Sequence, residues 1–166
     1  MIDTPHPVLR PRAIGILCGG LLAGVMDATA ASTHAWLRGT SPVRVWQYVA
    51  SGAIGPSSFT RGTTSVLLGL FFHFTVAFGA ATTYYFLSRS LPVLLQKPVL
   101  IGIAYGIVVF FFMSRVVVPL SLVRRGPFSF QQMFIGLGIH IVCVGLPIVL
   151  VARKCARRGM DRERLV

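Results

Sequence analysis

Four stretches of the 166-residue chain, residues 13–36, 64–87, 100–122 and 133–152, are predominantly apolar over about 20 residues each, the length an α-helix needs to cross a bilayer. Inside hydrocarbon every backbone N–H and C=O must find a partner within the protein, which restricts spanning segments to helices or closed barrels. The long apolar runs lack the alternation of a barrel strand. The chain is therefore predicted to be all-α, a polytopic four-helix bundle forming a single membrane domain over 1–166, with a basic tail at 153–166. Charged residues make up only 12% of the sequence, about half of what soluble domains carry, and the mean hydropathy is +0.75.

The net charge of +12 follows the loops rather than a continuous folded stripe, which is membrane topology and excludes a nucleic-acid partner. Arg10, Arg12, Arg89, Lys97, Arg153, Lys154, Arg157, Arg158, Arg162 and Arg164 fall on one side of a four-span arrangement, against Arg38, Arg44, Arg61, Arg124 and Arg125 on the other. The excess of positive charge places the N- and C-termini in the cytoplasm. Arg10, Arg12 and Ala28-Thr29-Ala30 also outline a cleavable secretory signal. Asp27, just before the small-residue site, and apolar sequence through Trp36 favour an uncleaved first helix.

Three cysteines, Cys18, Cys143 and Cys155, have no C-x-x-C spacing and imply neither a disulfide framework nor a zinc site. Cys155, beside Arg153 and Lys154, stands where palmitoylation can occur, and a free thiol is the simpler reading. In the first loop Ser41 can cap a short helix that begins at Pro42 and runs to about Gly52. With Trp46 and Tyr48 as headgroup anchors, that helix is predicted to lie on the outer membrane surface.

Charged or titratable groups in a span cost about 3 kcal/mol or more unless they face protein or water, which singles out Asp27, His34, His73, Arg115 and His140. At about 1.5 Å rise per residue, Asp27, His73 and His140 lie about 4 Å outward of the midplane and Arg115 about 6 Å. Small residues share their faces: Gly20 and Gly24 with Asp27 and His34, Gly69 with His73, Gly136 with His140. Such residues let helices approach closely. Gly102 and Gly106 lie opposite Arg115, so the third helix is expected to touch neighbours on two faces. Asp27 and Arg115 are expected to neutralise each other within about 4 Å, with the histidines as hydrogen-bonding members of one buried polar network. The same groups also suit a proton or ion pathway. No cofactor is called for, although His73 and His140 are the pair that bis-histidine ligation of haem b would use.

Gly69-Leu70 with His73 and Gly136-Leu137 with His140 repeat one pattern, and Gly20/Gly24 and Gly102/Gly106 repeat another, as a duplicated two-helix hairpin would. The Gly20-Leu21-Leu22-Ala23-Gly24-Val25 segment resembles small bacterial inner-membrane proteins of the YagU type. The resemblance covers one helix and implies a bacterial inner (cytoplasmic) membrane location without a mechanism. No P-loop, nucleophile elbow, HExxH or paired-carboxylate motif is present. The expected role is non-enzymatic: an accessory or self-associating subunit whose partners are the bilayer and other membrane helices, in a homo-oligomer or a larger complex.

Overall fold

The computed structural model describes residues 9–163, and the side chains of 14–157. Arg164 lies outside the described residues, as do the side chains of Arg10, Arg12, Arg158 and Arg162. The described chain is helical throughout, with no strand. Helix α1 is Leu9–Leu37, α2 is Pro42–Ile54 and α3 is Thr63–Ser90. Helix α4 is Pro98–Leu120 and α5 is Phe130–Arg157, with helical turns continuing to 163. Residues 14–37 of α1, together with α3, α4 and α5, are each long and apolar enough to span a membrane.

Both later spans change pitch ahead of a proline. In α4 a π-helical stretch, Met113–Val117, precedes Pro119, and in α5 the stretch His140–Gly145 precedes Pro147. A helical proline lacks an N–H and crowds the carbonyl four residues back. A widened turn accommodates that carbonyl without breaking the helix.

Helix α1 packs along α3 and α5, and α5 also packs along α4. The core that joins them is built of small or medium residues, Ala23, Ala81, Val109, Val144, Val149 and Ala152, plus one tyrosine, Tyr84. Large apolar side chains such as Leu21, Phe71, Val108 and Val142 point outward. This inverts the arrangement of a soluble domain and suits lipid, where close packing of small residues holds helices together.

The glycine repeats carry that packing in the same register in each hairpin. A side chain on Gly24 would meet Phe74, and one on Gly20 would meet Phe78. A side chain on Gly106 would meet Ile141, while Gly145 lies against the backbone of Gly102 and Gly106. Ile141 and Gly145 follow Phe74 and Phe78 by 67 positions, the same separation as between His73 and His140. The α1–α3 and α4–α5 hairpins thus place close glycine contacts at corresponding positions, although Gly102 meets Leu146, one position past the counterpart of Phe78.

Helices α3 and α4 close the ring by a different means. The Tyr105 hydroxyl donates to Ala80 O at 2.7 Å, and the Tyr84 ring lies 4.9 Å from that of Tyr105. Tyr84 in turn donates to Leu94 O in the second loop at 2.8 Å. These contacts sit toward the second-loop end, so α3 and α4 are tied there and leave space between them toward the first loop.

The first-loop helix forms where its capping residues place it, with Ser41 Oγ accepting from Val43 N at 3.3 Å. The helix expected in the first loop is present, and one face of it is packed against protein. Trp46, Gln47, Ala50 and Ser51 are buried and α2 packs along α3. The reason lies at Gly69, where any side chain would run into the Trp46 main chain. Without one, α2 settles directly on α3. Gly55, at φ 65, then ends α2 in a backbone conformation that favours glycine.

Candidate functional site

Under α2 and between the four spans lies a cavity of about 490 Å³, within the range of small-molecule sites. Every helix contributes to its wall: Asp27 from α1, Trp46 from α2, His73 from α3, Phe110 and Ser114 from α4, and His140 from α5. The remaining wall is mainly Ala, Val and Met. Its roof is latched, because Leu122 N donates to Gly52 O of α2 at 2.9 Å and Arg125 donates to Ser114 O. Arg125 also acts electrostatically on Tyr48, whose hydroxyl is pushed above its ordinary pKa chiefly by burial and drawn back in part by that arginine.

The polar centre is a carboxylate and an imidazole. Asp27 Oδ2 lies 3.8 Å from His73 Nδ1, with the two side chains 16% and 14% exposed. His73 Nε2 is 2.9 Å from Gly24 O. A carbonyl only accepts, so Nε2 carries a hydrogen, and Nδ1 is the nitrogen that faces Asp27. Aromatic edges fix the ring: Trp46 and Phe74 each lie 5.3 Å from it in T-shaped contact. Trp46 is therefore a buried packing partner of His73 and not an interfacial anchor. Tyr48 is 43% exposed.

His140 reaches the same cavity differently. Its Nδ1–H donates to Gly136 O, one turn back on its own helix, at 2.9 Å, and Phe110 packs edge-on at 5.4 Å. Gly136 itself faces Phe110.

The expected Asp27–Arg115 pair is not formed. Arg115 is exposed within the π-helical stretch of α4, and the ion-pair partner of Asp27 among the described residues is His73. The expectation rests on opposite charge alone, and the widened turn ahead of Pro119 alters where this part of α4 faces. His34 is half-buried and is not part of the cavity wall. The structure thus gathers Asp27, His73 and His140 and leaves out Arg115 and His34. Sequence reasoning missed the tyrosine bridge, Gly145 and the cavity itself. Tyr105 inside a strongly apolar run and Gly145 two positions before Pro147 were the available signals.

Among the described residues no group of three or more His, Cys, Asp or Glu side chains is placed to hold a metal ion. Both ring nitrogens of His73 are engaged, so ligation of haem iron would require it to leave Gly24 O or Asp27.

The chain is a multi-pass all-α membrane protein with a half-open, mainly apolar cavity whose wall holds one carboxylate among the described residues. Comparison with protein families, curated proteins and solved structures gave no match, and the functional reading rests on the geometry.

Proposed function

We propose that the protein is a non-enzymatic, membrane-embedded binding protein that holds a small lipophilic molecule in the cavity beneath α2. The carrying observation is an apolar space of about 490 Å³ that includes the carboxylate of the spans. A space of that size with a mainly alanine, valine and aromatic wall and a few convergent polar groups is the usual form of a small-molecule site. Support for cytoplasmic termini comes from the loop charges, and the bacterial inner-membrane location rests on the YagU-type resemblance. The cavity then belongs to the outer half of the bilayer, and α2 separates it from the external medium. Reporter fusions near Ser57 should read external, and those near Gln96 and after Arg157 cytoplasmic.

Binding is tested with the purified chain in lipid nanodiscs and the neutral fluorophore N-phenyl-1-naphthylamine. Saturable binding at about one molecule per chain is expected above the signal of empty discs. Ala31 lines the cavity, and Ala31→Phe should abolish this component while leaving the melting temperature within a few degrees. Equal signals from the chain, the variant and empty discs would overturn the proposal.

A further inference from the structure

The Asp27–His73 pair extends that reading to the kind of ligand. We infer that the cavity takes a lipophilic monocation in exchange for the proton on His73. The inference rests on the binding function just proposed.

Three observations carry it. First, an ionised carboxylate in an apolar wall is costly unless a positive charge stands beside it, and the cavity gives Asp27 such a place. Second, few titratable groups surround Asp27, and only histidines among them can be cationic. From α3 comes His73, at 3.8 Å. From α5 come His140, whose ring is held against Gly136 O and Phe110 on its own side of the cavity, and the Cys143 thiol, within electrostatic reach of Asp27. From α2 comes the Tyr48 hydroxyl, and α4 lines the cavity with no charged residue. Arg125 is directed to Ser114 O at the roof, and Arg115 is exposed. Third, the rest of the wall suits a cation. Trp46, Tyr48, Phe72 and Phe110 bring aromatic rings to the cavity, and ring faces attract positive charge.

His73 is built to trade its charge without losing its place. Nε2–H remains bound to Gly24 O whether Nδ1 is protonated or not. The imidazolium and a ligand cation compete for the same carboxylate. When the cation enters, Nδ1 releases its proton to solvent, so one positive charge arrives and one leaves. The net charge of the cavity is conserved.

The probe is tetraphenylphosphonium, bound to the full chain in nanodiscs, with proton release followed by an indicator dye in weak buffer. About one proton should appear per cation bound wherever His73 starts protonated. Because the proton competes, affinity should weaken as pH falls, by up to tenfold per unit, and become level at higher pH. Asp27→Asn should weaken tetraphenylphosphonium binding at least tenfold while keeping binding of the neutral fluorophore. His73→Gln, which retains a donor for Gly24 O, should bind the cation with neither pH dependence nor proton release, whereas His140→Gln should keep both. Cation binding that is unchanged in Asp27→Asn, or that releases no proton at any pH, would overturn the inference. A wild-type chain that binds the neutral fluorophore but not tetraphenylphosphonium sinks the cation reading and leaves the binding function standing. Failure of both probes removes both.

Discussion

The two hairpins share one glycine register and differ in what faces those glycines. In the α1–α3 hairpin, Gly20 and Gly24 receive the rings of Phe78 and Phe74. In the α4–α5 hairpin, Gly102, Gly106 and Gly145 bring backbone against backbone. The polar residues diverge too. His73 faces Asp27, but the position that follows Asp27 by the 82 residues separating Gly24 from Gly106 is Val109. His140 accordingly turns to its own helix. The second hairpin therefore packs backbone on backbone, the first packs rings on glycine and carries the Asp27–His73 pair, and both line the cavity.

The largest effect should separate the two kinds of glycine contact. Gly106→Ala places a methyl 2.5 Å from Ile141 Cα and 2.8 Å from His140 O, so α4 and α5 must part, at a cost of about 3 kcal/mol. Gly24→Ala meets the edge of the Phe74 ring, which can rotate, and touches the Ala77 methyl at an ordinary 3.4 Å, and should cost about 1 kcal/mol. Thermal unfolding in detergent measures both, and equal losses would break the comparison.

The pair that distinguishes the first hairpin should show coupling. In a double-mutant cycle of Asp27→Asn and His73→Gln, the single effects should depart from additivity by about 1–2 kcal/mol, as for side chains in direct contact. Additive effects in the same unfolding assay would mean that the 3.8 Å approach carries no interaction.

A smaller loss tests the tie between the hairpins. Tyr105→Phe removes the hydroxyl that donates to Ala80 O and should lower stability by about 1 kcal/mol, leaving each hairpin intact. Hydrogen exchange should rise around Ala80 and not around Gly106; a rise at both would show that the hairpins are not separate packing units. Least affected should be Arg115→Gln, within about 0.5 kcal/mol and additive with Asp27→Asn, because Arg115 is exposed. A larger coupling would restore the pairing expected from sequence.

The spans, the capped first-loop helix and the repeated glycines were legible in the chain because each follows from local chemistry. Apolar length forces a helix in lipid, Ser41 and Pro42 start α2, and a missing side chain marks close approach wherever it occurs. The inward placement of Asp27, His73 and His140 was legible for the same reason, since small residues share their faces. Partner choice was not. Whether Asp27 meets Arg115 or His73 depends on helix rotation, and the π-helical turns of α4 and α5 alter that rotation in a way a uniform 100° per residue does not anticipate. The docking of α2 likewise turns on a contact between Trp46 and Gly69, and the cavity on the tyrosine tie at one end of α3 and α4. Sequence determined which segments enter the membrane and which residues had to turn inward; the tertiary structure decided which of them meet and what space they enclose, because both depend on contacts between residues far apart in the chain.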